Sequence, residues 1–170
     1  MATTWFQGTV RYERCAENGM KQKVTEQYLV DAVTFTDAES ILYDAIRPYV
    51  SGEMEVKAIK KTNFAEVFSD QFGIYSEADA AVAKVLNRNA NQSETPDKWF
   101  SVKVNFISID EKTAKEKKTP VYYLANANTT QVAQKVVELN LKGTISDYAI
   151  EKVVETKILE VVVYNINQAS

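Results

Sequence analysis

One order of landmarks runs through this chain twice, and that constrains its fold more than any other feature. Trp5-Phe6 returns as Trp99-Phe100, 94 residues on, and Tyr28-Leu29 returns as Tyr123-Leu124, 95 on. Thr62 and Glu66-Val67 then return as Thr156 and Glu160-Val161, again 94 on. A shared order with a one-residue slip near the hairpin is what a duplicated supersecondary unit leaves in a sequence. The expectation is an α+β fold made of two pseudo-symmetric β-β-α-β(β) repeats, a largely antiparallel sheet with helices packed on one face. Repeat 1 spans 5–68, a connector helix and loop 69–98, and repeat 2 99–164, all in a single compact domain over 1–170.

Each copy reads as a hairpin, a helix and a returning strand. Phe6, Gly8, Val10 and Tyr12 alternate with Trp5, Gln7, Thr9 and Arg11, the period of a strand with one buried face. Glu17-Asn18-Gly19 supplies residues that tolerate positive φ for the hairpin turn, after which Val24, Tyr28, Val30 and Ala32 continue extended. Thr36-Asp37-Ala38-Glu39 has the wording of a capping box, and Ala38, Ile41, Leu42, Ala45 and Ile46 follow at helical spacing until Pro48 and Ser51-Gly52. Ala133, Val136, Val137, Asn140 and Leu141 stand 95 residues after those five positions, and four of them are apolar, so a helix should pack on the sheet in both copies. The returning strands, 53–68 and 147–162, exceed the usual five or six residues. Lys60-Lys61-Thr62-Asn63 and Val154-Glu155-Thr156-Lys157 should break each into two short strands joined by a bulge or corner. Between the copies, 76–87 has the spacing of a short helix and 87–98 is polar and loop-like. Phe6, Tyr28, Ile41, Leu42, Phe100, Tyr123, Val136 and Val137 are assigned to the core.

The opening Trp-Phe-Gln-Gly-Thr-Val-Arg-Tyr-Glu, the stretch Val24-Thr25-Glu26-Gln27-Tyr28-Leu29-Val30-Asp31-Ala32 and Gly52-Glu53-Met54-Glu55-Val56-Lys57-Ala58-Ile59-Lys60 resemble the family called domain of unknown function 4494. So do Lys98-Trp99-Phe100, Val102-Lys103-Val104-Asn105-Phe106-Ile107 and Asp110-Glu111-Lys112-Thr113-Ala114-Lys115-Glu116. The resemblance implies an origin in Bacteroidetes or in their phages and mobile elements, and it carries over no catalytic residue.

Composition bears on chemistry mainly by what is missing. There is no histidine, the commonest general base and metal ligand, and Cys15 stands alone at a hairpin end, so neither an intrachain disulfide nor a cysteine zinc cage can form. The five glycines are scattered rather than clustered before a helix, which gives no phosphate-binding loop. Ser40, Ser51 and Ser146 have no activating partner in a motif, and Glu53-Glu55, Asp110-Glu111 and Glu138 fall where solvated surface is expected. No Asp/Asn ladder of calcium-loop spacing occurs. The expectation is a protein that is not an enzyme, with no cofactor and no metal. No apolar run reaches the roughly 20 residues of a membrane span, and Met1-Ala2-Thr3-Thr4 does not begin a secretory signal, so a cytoplasmic protein without a membrane partner is expected.

Two binding readings remain. In the first, Trp5 and Arg11 on one strand face, and Trp99 and Lys103 on its counterpart, bind single-stranded DNA or RNA by stacking bases and meeting phosphates. Lys57, Lys60 and Lys61 add a second basic group. A net charge of −3 offers no global attraction to a polyanion, so such binding must be local. The bland account of the tryptophans is packing, and the lysines at 112, 115, 117 and 118 alternate with Glu111 and Glu116 as a soluble hairpin would. In the second reading the protein is an interaction or self-assembling module of a phage particle, or a factor acting on a host protein. There the β-branched run 158–164 pairs with a protein partner or a second copy; a central, buried position for that run is the alternative. A small-molecule pocket between the copies would leave no linear signature.

Overall fold

The computed structural model describes residues 3–69 and 96–163. The expected connector helix at 76–87 and most of the loop at 87–98 lie outside the described residues. Among the described residues, eight strands and two helices run in the order β1 (Thr4–Cys15), β2 (Lys21–Ala32), α1 (Phe35–Ile46), β3 (Met54–Lys61), β4 (Phe64–Phe68), β5 (Lys98–Ile109), β6 (Glu116–Ala127), α2 (Thr130–Asn140), β7 (Asp147–Glu155) and β8 (Ile158–Val162). A 3-10 turn, Arg47–Tyr49, follows α1. The fold is α+β, as expected from the alternating strands and the two amphipathic helices.

Two compact units result, one of residues 1–62 with 157–170, the other of residues 63–156. The first holds a sheet ordered β3-β1-β2-β8, the second a sheet ordered β4-β6-β5-β7. In each, the long hairpin is antiparallel and the strand after the helix pairs antiparallel with the first hairpin strand. The fourth strand runs parallel to the second hairpin strand, and it comes from the other half of the sequence: β8 joins β2, and β4 joins β6. The long returning strands are therefore broken near the expected points, at Thr62-Asn63 and Thr156-Lys157. The second piece of each, however, does not stay in the sheet of the first. Both breaks are held alike. The Thr62 amide and hydroxyl donate to the Trp5 carbonyl at 2.9 and 2.7 Å, and those of Thr156 to the Trp99 carbonyl at 2.9 and 2.8 Å.

Helix packing sets which sheet face is core. Phe6, Val10, Tyr28 and Val30 on the first sheet meet Ala38, Leu42 and Ile46 of α1. Phe100, Val102, Val104, Tyr123 and Ala125 on the second meet Val132, Ala133, Val136 and Val137 of α2. Of the residues assigned to the core, Ile41 alone is only half-buried. α1 begins two residues earlier than the Thr36 capping box implies: its N-cap is Thr34, whose hydroxyl accepts from the Asp37 amide at 3.1 Å. Thr129 does the same for the Val132 amide at 3.2 Å. Either threonine satisfies an otherwise orphaned donor. The first hairpin turns at Gly19, with φ +79°, and Asn18 Oδ1 accepts from the Met20 amide, as the Asn-Gly wording anticipates.

Gly8 is glycine for a steric reason. A Cβ there would lie 2.2 Å from Leu42 Cδ2 and 3.2 Å from Ile59 Cδ1, so α1 sits on the bare backbone of β1. In the second unit the same register position is Val102, opposite Tyr123 as Gly8 is opposite Tyr28, and the helix above it carries Val137 in place of Leu42.

Candidate functional site

Strand pleat sends alternate side chains to opposite faces, so the face of each sheet away from its helix is read off the register. In the first unit it carries Trp5, Gln7, Thr9 and Arg11 on β1, with Asp31, Leu29, Gln27 and Thr25 opposite them on β2. Lys60, Ala58 and Glu55 are the neighbours of Gln7, Thr9 and Arg11 on β3. Lys57 is the extra residue of a β-bulge at the Thr9/Val10 step. Gln7 Nε2 donates to Gln27 Oε1 at 2.6 Å, which holds the middle of this face. Lys57 and Lys60 are exposed, Arg11 is half-buried, and none of the three makes an ion pair among the described residues. Lys61 is paired with Phe6, on the side of the helix, and so does not join Arg11 and Lys60.

The second unit repeats this geometry with different charges. Its bulge falls at the Lys103/Val104 step and the extra residue is Glu151, 94 residues after Lys57. Glu151 Oε2 accepts from Lys103 Nζ at 2.8 Å and from Asn105 Nδ2 at 3.0 Å. These hydrogen bonds, Lys103's first, hold the Glu151 carboxyl below its ordinary pKa, and the bond to Glu151 holds Lys103 above its own. Lys103 is thus already neutralised by a neighbour, unlike Arg11, Lys57 and Lys60.

The two tryptophans are not alike. Trp5 is half-buried at the start of β1, whereas Trp99 is only 3% exposed. A ring without an accessible face cannot stack a base, so Trp99 is a packing residue here rather than part of the proposed stacking face. Of the seven residues singled out from sequence, the fold gathers Trp5, Arg11, Lys57 and Lys60 on one sheet face of the first unit, puts Lys61 on the helix side of that sheet, and places Trp99 and Lys103 in the second unit.

At the hairpin end of the first sheet lies a cleft of about 690 Å³, whose charged lining includes Arg11, Glu13, Lys23, Arg47, Glu53 and Glu55. Arg47 is committed to the helix exit, where its Nη1 donates to the Val50 carbonyl at 2.6 Å. Three cations and three carboxylates cancel, which gives the cleft no preference for an anion. No group of three or more His, Cys, Asp or Glu side chains suited to a metal occurs among the described residues.

One polar cluster was not legible from motifs. Glu26 accepts from the Tyr12 hydroxyl at 2.8 Å and from the Tyr28 hydroxyl at 2.5 Å, on the helix side of the sheet. Burial first, and then the bond to Glu26, push both phenols above their ordinary pKa, Tyr28 far above it. The signal available in sequence was a carboxylate at an inward-facing register position, between Val24 and Tyr28.

These features define an α+β protein of two sheet-plus-helix units, each with polar side chains along part of the sheet face away from its helix. The chain belongs to the family described as domain of unknown function (DUF4494), whose model matches residues 4–164. A comparison with curated proteins finds no match. No helix among the described residues is long and apolar enough to cross a membrane.

Proposed function

We propose that this is a non-enzymatic binding protein, an accessory factor of a phage or mobile element, whose ligand is single-stranded nucleic acid held on the polar sheet face of the first unit. The observation that carries the reading is the set Arg11, Lys57 and Lys60 on that face, none ion-paired among the described residues, with half-buried Trp5 at its end. On the corresponding strand of the second unit Lys103 is ion-paired. Three phosphate contacts to a single strand correspond to a salt slope of about −2, or roughly a 20-fold loss of affinity between 50 and 200 mM salt. Stacking on Trp5 would add about 1–3 kcal/mol for one base. The test is fluorescence anisotropy of labelled DNA and RNA oligonucleotides at both salt concentrations. Wild type should bind in a salt-sensitive way, and the triple variant Arg11→Gln, Lys57→Gln, Lys60→Gln should lose most of both affinity and salt slope. Absence of binding at 50 mM salt overturns the reading.

A second reading rests on β8. It pairs with β2 on one side, no described strand pairs with its other edge, and Leu159 on it is 53% exposed. An open β-branched edge is a template for strand addition by a protein partner or a second copy. β3 and β7 are poorer templates, being bulged and bearing charges at Lys57, Lys60, Glu151 and Lys152. Light scattering that finds a concentration-dependent dimer, abolished by Leu159→Lys, would favour this reading over the first.

A further inference from the structure

On the second unit's sheet, the face away from α2 holds a depression of about 310 Å³ lined by Ser101, Lys103, Tyr122, Lys152 and Val154. Lys103 and Lys152 are direct cross-strand partners. Like charges placed directly opposite each other destabilise a sheet, so folding alone gives no reason for this pair. The same register positions in the first unit are Thr9 and Ala58, which are neutral and small. Glu151 offsets Lys103 at 2.8 Å, while Lys152 makes no ion pair among the described residues, so the lining keeps one net positive charge. The polar side chains of the lining are two ammonium groups and two hydroxyls, all able to donate, and no carboxylate lines the depression itself.

We infer that this depression is a binding site for a phosphate group, with Lys152 supplying the net charge and Lys103, Ser101 and Tyr122 donating hydrogen bonds. Several donors converging from three strands suit the distributed acceptors of a tetrahedral oxyanion. The volume equals roughly ten water molecules at about 30 Å³ each, which leaves room for a phosphate ester beyond a bare ion. The site lies wholly in the second unit and does not depend on the nucleic-acid reading of the first.

The experiment is a titration of the ¹⁵N-labelled full chain with inorganic phosphate, and separately with adenosine 5′-monophosphate, at constant ionic strength with sodium chloride as the control. Saturable amide shifts at Ser101, Lys103, Lys152 and Val154 are expected in the millimolar range. Lys152→Gln should weaken binding tenfold or more. Glu151→Gln, which removes the competing carboxylate, should tighten it several-fold, a gain that a misfolded or merely weakened sheet would not produce. Tighter binding of the nucleotide than of phosphate identifies an ester as the occupant, and equal binding identifies the free ion. Shifts that do not saturate, that chloride reproduces, or that persist unchanged in Lys152→Gln overturn the inference.

Discussion

Exchanging bulk between Gly8 and Leu42 should reproduce in the first unit the packing that Val102 and Val137 make in the second. Leu42→Val removes one methylene from a fully buried side chain, worth about 0.8 kcal/mol in transfer and about 1–1.5 kcal/mol once the residual cavity is included. Gly8→Val drives a Cβ to within 2.2 Å of Leu42 Cδ2. Such overpacking costs about 1–3 kcal/mol, of which about 0.5–1 kcal/mol is returned by removing a glycine from a strand interior. The clashing atom is the one that Leu42→Val deletes. The double variant should therefore recover most of both losses, with a coupling of about 1–3 kcal/mol in its favour. Urea unfolding followed by circular dichroism on the wild type, the two single variants and the double variant closes the cycle. Free energies that add to within about 0.5 kcal/mol would refute the claim that strand and helix share one volume at this contact.

Other outcomes follow from the same comparison of equivalent positions. Asp31 Oδ1 is buried without a hydrogen-bond partner, whereas Asn126, in the same register position opposite a tryptophan, donates from Nδ2 to the Lys98 carbonyl at 2.8 Å. Asp31→Asn should stabilise the fold by about 1 kcal/mol in thermal or urea unfolding, by placing an amide donor where Asn126 has one. Glu26→Val should cost about 1–3 kcal/mol because it strands the Tyr28 hydroxyl. The triple change Glu26→Val, Tyr12→Phe, Tyr28→Phe should cost less than the three single losses combined, which a urea series would show. The folded-state pKa values of Tyr12, Tyr28 and Tyr123 are all raised by burial. Their contribution is complete below the unfolded tyrosine value near 10 and is lost as pH rises beyond it. Thermal stability should fall between pH 9 and 11, and less steeply in Tyr28→Phe; an equal slope in that variant would contradict the assignment.

What was legible in the sequence is what the backbone period dictates locally. The alternation of Phe6, Gly8, Val10 and Tyr12 with Trp5, Gln7, Thr9 and Arg11 sorts faces correctly, because the pleat leaves no other choice. The helical spacing of Ala38, Leu42 and Ile46 names the buried stripe just as directly. Partner choice for a short strand is not local. Phe64 pairs with Tyr122, and Ile158 pairs with Gln27, at equivalent registers of two alike sheets. Nothing in five residues of β4 or β8 says which of the two sheets receives it, so the exchange of strands was invisible. Nor does the period report burial on that face: it places Trp99 beside Ser101 and Lys103, yet the ring is only 3% exposed.

The positions at which the two units differ have a pattern of their own. On the helix side, substitutions such as Gly8 for Val102 and Leu42 for Val137 keep the contact apolar, as a packed core requires. On the other face they change charge. Thr9 and Ala58 stand where the second unit has Lys103 and Lys152, Arg11 stands where it has Asn105, and Lys57 fills the bulge that Glu151 fills there. Exposed side chains at a bulge carry no packing demand that fixes their sign. Among the described residues, the first unit nevertheless leaves Arg11, Lys57 and Lys60 without an ion pair, while the second binds Lys103 to a carboxylate and leaves Lys152 without one. A shared scaffold with a conserved need for apolar contacts on one side thus permits two different electrostatic surfaces on the other. A ligand can discriminate between the units through those three register positions and the bulge beside them.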